Sequence, residues 1–395
     1  MTFSTLPLSY CTNVHPGRTL AEVLDGLNQY TATAHRMLER PMAAGLWLAS
    51  SVVSELLEDP SRLDVLGQTL WQHDLVCYSL NAFPFGDFHD DRVKEMVYLP
   101  DWSERLRVDY TQGCARVLSQ LLPEGGEGSI STVPLGGTMF PTEPDFHAAC
   151  LSNLIQVARF LHDLHQETGR LIRLAVEPEP LCHISSIPQD AVPLFAMLFE
   201  LAEVKGQLEM VREHIGLCFD VCHQAVEFEH IPRSIDQLVD AGVRINKVHI
   251  TNAVELTDPA GNVAGREALL RYVEQRYLHQ TYARLHDARI VTRPDLLADD
   301  INRSPPDEFL SAEAWRIHFH VPVFAETLGP LKTTRSDLKA ALRRIAALEY
   351  SPHLEVETYT WPVMPGEAKS DDLASRIGRE LASTYELLES IAGLA

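Results

Sequence analysis

Eight short apolar runs, at residues 8–13, 45–49, 76–82, 129–134, 171–177, 217–220, 245–250 and 354–358, alternate along this chain with stretches of a different period. In those stretches apolar residues recur every three or four positions, as in Leu20, Val23, Leu24, Leu27 and Tyr30, or Leu151, Leu154, Ile155, Ala158 and Leu161. The first pattern suits strands buried on both faces, the second amphipathic helices. Strand and helix in alternation mean parallel β/α units, and eight such units close into one α/β fold, the (β/α)8 or TIM barrel. The 395 residues suffice for one elaborated barrel, so a single domain over 1–395 is expected. Residues 123–128 read as a connector, and no repeat beyond the alternation occurs.

Two segments exceed this plan. Residues 251–315 separate the seventh run from the eighth and read as an elaborated loop on the active face. Within and after it a helix is expected over 267–285, a polar, Pro-containing passage over 293–306 and a ninth strand-like run over 316–324. At the end, residues 371–394 place Leu373, Ile377, Leu381, Leu388 and Ile391 on one helical face. This C-terminal helix is expected to pack on the barrel or on a partner, a second copy of the chain included.

Four of the runs end on an acid or an imidazole: Glu177, Asp220, His249, and Glu355 with Glu357. Pro178 stops the strand before it, which puts Glu177 at a carboxyl end, where barrel active sites lie. Taken singly, each has an ordinary explanation: Glu177 an ion pair, Asp220 a helix cap, His249 a hydrogen-bonded core residue. Together they spell a metal site. Strand alternation sends Glu355 and Glu357 to the same side, which is costly without a cation or a proton to offset them. His223, three residues after Asp220, is near enough to share the cavity. Mostly oxygen donors with one imidazole suit a divalent ion, Mn²⁺, Mg²⁺ or Co²⁺, and are open to Zn²⁺.

With 45% apolar and 22% charged residues the chain is globular rather than disordered. Its 33 basic against 55 acidic side chains give a formal charge of −22, which argues against a nucleic-acid partner. No segment reads as a signal peptide or is long enough to span a bilayer, so no membrane insertion and a cytoplasmic location are expected. The seven cysteines are scattered and read as reduced thiols, with Cys218 and Cys222 as core filling.

The order of Glu177, Asp220, His249 and Glu357 resembles the xylose-isomerase-like barrel superfamily, which includes sugar isomerases, ketose epimerases and endonuclease IV. The resemblance implies a metal held by those four residues, with His223 holding a substrate oxygen or a second metal. Glu357 is preferred over Glu355 because Glu357-Thr-Tyr is similar to the Glu-Ser-Phe of epimerases. A closer resemblance is to the bacterial EboE family of metabolite traffic proteins, encoded with a prenyltransferase and a cyclitol-synthase-like enzyme. It rests on residues 9–17 (SYCTNVHPG), 177–180 (EPEP) and 318–322 (HFHVP). The His318-x-His320 pair stands where endonuclease IV carries an Asp-x-His pair, which makes His320 a candidate second-metal ligand. Against a trinuclear site, the third strand offers Asn81 rather than His, and the fourth offers no ligand.

Candidate substrate contacts are His223, Asn13, His15, His318, Asn81 and Trp361, although the Asn13–Gly17 segment serves equally as a stabilised turn. Phe83, Phe85 and Tyr359 join Trp361 as candidate pocket walls, with loop packing as the alternative. Tyr277, His279, Gln280 and Arg284 share the expected insertion helix, where a solvated helix face is expected ahead of closure over the substrate; Glu179 reads as a surface or supporting group. The leading expectation is a metal-dependent isomerase or epimerase of a sugar or cyclitol-like polyhydroxy carbonyl compound. Glu177 and Glu357 would move the proton through a metal-stabilised enediolate. The alternatives are a di- or tri-metal phosphoester hydrolase related to endonuclease IV, and a carrier that hands a metabolite to pathway enzymes.

Overall fold

In a computed structural model of the chain, which describes residues 3–303, 305–366 and 372–393, the alternation closes into a barrel. Its first seven strands are β1 (Leu8–Cys11), β2 (Met42–Trp47), β3 (Val76–Asn81), β4 (Glu127–Thr132), β5 (Leu171–Val176), β6 (Ile215–Asp220) and β7 (Ile245–Ile250). Six further strands intervene: β8 (Asn252–Thr257), β9 (Thr281–Arg284), β10 (Ile290–Arg293), β11 (Ala314–Val321), β12 (Thr327–Leu328) and β13 (Leu331–Thr333). Then β14 (His353–Val356) pairs in parallel with both β7 and β1, and the eight-stranded sheet is closed. All eight apolar runs are barrel strands. Burial of both faces explains why they read as unbroken apolar stretches rather than alternating ones. The expected connector is shorter than read, since Glu127 and Gly128 already belong to β4.

The barrel interior holds an ion pair. Lys247 on β7 reaches Glu355 on β14 with Nζ 2.7 Å from Oε1, both side chains fully buried, and Ser9 donates to Glu355 Oε2 at 2.7 Å. Burial works against both charges, yet their attraction holds the Glu355 carboxyl well below its usual range and the Lys247 ammonium above its own. Gly45 on β2 makes room for this carboxylate, because a Cβ there would overlap Glu355. Lys247 is therefore the cation that offsets Glu355, the inner of the two paired acids, while Glu357 lies beyond it against His249.

Helices cover the barrel as their spacing predicts. The helix Phe146–Thr168 buries Leu151, Leu154, Ile155, Ala158 and Leu161. Leu20–Gly26 begins with a capping box between Thr19 and Glu22 and continues through turns to Leu38. The C-terminal helix, Leu373–Ala392, packs on the barrel's own wall, chiefly on Ala32–Leu38. Its buried Glu380 accepts bonds from Tyr10 Oη, Thr358 Oγ1 and the Val323 amide, at 2.7, 2.9 and 3.0 Å. Residues 371 and 394 of the expected helix, residue 304 of the expected insertion, and residues 1, 2, 367–370 and 395 of the expected domain lie outside the described residues.

The insertion departs most from expectation. It is a six-stranded antiparallel sheet, ordered β10-β9-β11-β8-β13-β12, and it reaches past residue 315 to Thr333. The ninth strand-like run is its strand β11, so it never competed for a place in the barrel. The expected helix over 267–285 is instead a short helix, Val263–Leu269, a turn at Leu270–Tyr272 and strand β9. Apolar spacing in 267–285 fits either period. Pairing of β9 with β10 on one side and β11 on the other decides for strand.

Candidate metal centre

The barrel registers bring the four strand-end groups together. Glu177 follows β5 directly, its amide donating to Thr132 O at 3.0 Å, and Asp220 pairs in register with His249 across β6 and β7. Glu357 follows β14, two residues beyond Glu355, which is in register with His249. From His249 Nδ1, Glu177 Oε1 lies at 3.0 Å, Glu357 Oε2 at 3.1 Å and Asp220 Oδ2 at 3.5 Å. Donor atoms bound to one cation at about 2.0–2.2 Å stand roughly 3.0–3.6 Å apart, a range these separations share with a hydrogen bond from His249 Nδ1 to Glu177 Oε1.

Each carboxylate divides its work. Asp220 Oδ1 caps the helix Val221–Val226 by accepting the His223 amide at 3.0 Å, and takes the Thr251 hydroxyl at 2.9 Å. Its Oδ2 is buried without a hydrogen-bond partner, as is Glu177 Oε2. Capping thus occupies Oδ1 and leaves Oδ2 to meet some other group. Glu357 Oε1 accepts from the side-chain amides of Asn13 and Asn81, both at 2.8 Å, while Oε2 faces His249. Burial raises the Glu177 carboxyl, and the imidazoles of His249 and His223 offset this only in part. Burial acts on Asp220 too, but His223, His249 and His320 outweigh it and hold the carboxyl well below its usual range. Buried carboxylate oxygens without donors are costly, and a cation would satisfy them.

A trio of imidazoles stands beside this set. His223 Nε2 is 3.1 Å from His318 Nε2, which is 3.2 Å from His320 Nε2. Every Nδ1 is spent: His223 on Pro178 O at 2.9 Å, His318 on Gln280 Oε1 at 2.7 Å, His320 on Glu357 O at 2.9 Å. These partners accept, so each Nδ1 donates and each neutral ring presents a lone pair at Nε2; burial opposes a proton on His223, but Asp220, Glu179, Glu177 and Glu357 raise it and favour a proton on that Nε2. Gln280 is oriented by its own donation to Tyr98 Oη at 2.8 Å and to Glu179 Oε1 at 3.2 Å. Burial and the neighbouring imidazoles push His318 well below its usual range.

The cavity over these groups is about 50 Å³. Glu177, Glu357, His223, His318 and His320 line it beneath walls from Phe83, Phe88, Tyr98, Tyr277 and Tyr359, with Asp220 and His249 buried behind them. Asn13 and Asn81 also line it, but their donor groups are spent on Glu357, which they orient. His15 does not join: it is buried against Tyr30 and Gly26 of the first helical segment. Trp361 does not join either, since it bonds Glu380 Oε2 at 3.0 Å and Tyr10 Oη at 3.2 Å behind β14. Phe85 packs on Tyr110 instead.

Of the two readings of Glu179 the structure favours the supporting one over the surface one: it is 5% exposed, accepts from Tyr98 Oη at 2.7 Å, and burial pushes its carboxyl up to about 7. Sequence reasoning missed Thr251 and Lys247 as supporting groups. Of the four residues expected on the insertion helix, Tyr277 and Gln280 reach the site, His279 supports β11 by donating to His318 O at 2.8 Å, and Arg284 pairs with Glu313 away from the cavity.

No family model and no curated protein matches the chain. Solved structures that align with it include "IOLI protein with a binding zinc atom", at 13% identity over 98% of this chain and 99% of that one, TM-score 0.49. A D-tagatose 3-epimerase-like protein aligns at 10% identity over 98% of both chains, TM-score 0.46. The apo form of 3-keto-D-glucoside 4-epimerase, YcjR, from E. coli aligns at 14% identity over 67% of this chain and 86% of that one, TM-score 0.33. At these values the likenesses carry no chemistry to this chain.

Proposed function

We propose that this chain is a metal-dependent isomerase or epimerase acting on a sugar- or cyclitol-like polyhydroxy carbonyl compound. One observation carries the reading: Glu177 Oε1, Asp220 Oδ2 and Glu357 Oε2 converge on His249 Nδ1 at the carboxyl ends of barrel strands, with Asp220 Oδ2 and the second Glu177 oxygen, Oε2, buried without hydrogen-bond partners. That donor set fits a hard or borderline divalent cation, with Glu177, Asp220, His249 and Glu357 holding it. When bound, the cation would polarise a carbonyl and its neighbouring hydroxyl.

Glu177 and Glu357 are the proton partners in this reading. Glu357 is clamped through Oε1 by Asn13 and Asn81, so its Oε2 keeps a fixed direction. Glu177 retains Oε2 for the proton on the carbon next to the carbonyl, and Glu357 returns a proton to that carbon. His223 and His318 hold a substrate oxygen, and the walls of Phe83, Phe88 and Tyr359 keep water from the exchanging site. Among the described lining residues the basic side chain is Lys94, and its ammonium already bonds Tyr277 O at 2.6 Å and pairs with Asp295 at 2.6 Å. A neutral polyol suits this cavity better than a phosphorylated one.

The test is solvent-deuterium incorporation into ketoses and inosose-like cyclitols with added Mn²⁺. Exchange that needs the metal and disappears in Glu177→Gln supports the proposal; no metal-dependent exchange across a broad panel overturns it. The imidazole trio favours one competing reading, hydrolysis of a small phosphoester at a two-metal centre. Two metals at the barrel mouth with turnover of phosphoesters would decide for hydrolysis.

A further inference from the structure

A separate set of donors lies at the amino-terminal end of β6, the opposite end of that strand from Asp220. His162 and His165 stand one turn apart on the helix Phe146–Thr168, hence on one face. Glu213 and His214 end the helix Leu208–His214 that packs against it. His214 is fully buried, and its Nδ1 donates to Ile172 O at 2.9 Å, which leaves Nε2 an unprotonated lone pair. That Nε2 has no hydrogen-bond partner and lies 3.4 Å from Glu213 Oε2. The same carboxylate oxygen is 4.0 Å from His162 Nδ1. The ligating atoms of His162, Glu213 and His214 all lie within 4.8 Å of one another. His162 Nδ1 and His165 Nδ1 are buried without partners as well, and their rings stand 5.8 and 6.2 Å from the His214 ring.

Three buried imidazole nitrogens without partners around one carboxylate are poorly served by the protein alone. An ion pair with Glu213 would satisfy one protonated imidazole and leave the others orphaned. Two nitrogens and one oxygen in this spacing, with the His165 ring beside them, match the donor preference of Zn²⁺ and neighbouring late first-row ions. We infer that the helices Phe146–Thr168 and Leu208–His214 form a second divalent-cation site of the Zn²⁺ type, ligated by His162, Glu213 and His214 with His165 as a fourth donor. Four protein donors make a closed site that joins two helices rather than one that turns over substrate. His162 and Glu213, 39% and 42% exposed, give the ion its way in.

The experiment uses tag-free, full-length protein stripped with chelator and titrated with Zn²⁺, then with Co²⁺ as a spectroscopic probe. His162 and His165 are only part-buried, so the H162A/H165A variant is expected to fold, which circular dichroism checks. Wild type should take up one Zn²⁺ more than H162A/H165A, or hold that equivalent roughly tenfold or more tightly. Its Co²⁺ form should show a visible band that the variant lacks. Glu177→Gln, which alters only the barrel mouth, should keep this equivalent and this band, so failure of the proposed function leaves the result intact. Equal Zn²⁺ stoichiometry and affinity in wild type and H162A/H165A, with identical Co²⁺ spectra, overturns the inference.

Discussion

His223 and His318 face each other through Nε2 atoms 3.1 Å apart, although each ring already donates from Nδ1, to Pro178 O and to Gln280 Oε1. Two lone pairs at that separation repel unless a cation or a shared proton lies between them. The two occupants make different demands, since an ion needs His320 as a third donor and a proton does not.

His318→Ala separates them. In an H162A/H165A background, so that only the barrel mouth is counted, elemental analysis should find the same metal content in His318→Ala as in its parent, held by Glu177, Asp220, His249 and Glu357, with a shared proton as the link between the imidazoles. One bound metal fewer in His318→Ala would place an ion on the imidazole trio and favour the two-metal hydrolase.

Glu177→Gln should act oppositely on the stripped and the loaded protein. Without a cation it removes one of four carboxylates crowded around His249, and melting temperature should rise by the equivalent of about 1 kcal/mol or more. With Mn²⁺ or Zn²⁺ in excess the order should reverse, because wild type gains binding energy that the variant loses. A variant less stable in both states would show that Glu177 serves packing rather than a cation.

Breaking the pair inside the barrel should be severe. Lys247→Met leaves Glu355 buried and uncompensated, at a cost of about 3–5 kcal/mol in denaturant unfolding. The double variant Lys247→Met, Glu355→Gln should recover most of that loss. A double variant as unstable as the single one would assign the cost to the shape of Lys247.

Acid should weaken the fold through two buried histidines. Burial pushes His15 and His353 each down to about 4, Arg173 adding to the effect at His353, so both are neutral in the folded protein. The unfolded chain takes up these protons near pH 6.5. The stability that depends on their neutrality is complete above about pH 6.5 and is lost as pH falls toward about 4. His353→Gln should therefore shrink the drop in melting temperature between about pH 7 and pH 5. An identical drop would exclude His353 as a source.

The barrel was legible because strands buried on both faces leave long apolar runs, and Glu177, Asp220 and His249 could be placed because each ends such a run. What could not be read was direction beyond a strand end. His15 and Trp361 follow β1 and β14 closely, yet a turn sends the first against Tyr30 and the second toward Glu380. Residues 267–285 show how apolar spacing alone misleads, since partners distant in sequence, not local preference, made β9 a strand. Lys247 escaped notice because an isolated lysine in an apolar run gives no sign of the acid it will meet.

Thr251 alone separates β7, which carries His249, from β8, which begins the inserted sheet. Across that one residue the polypeptide passes from the layer that supplies the carboxylates to the layer that supplies His318 and His320. The two donor sets are therefore genetically separable. A chain that replaced residues 252–333 with a short linker would still encode Glu177, Asp220, His249 and Glu357, and would shed two of the three imidazoles in a single deletion.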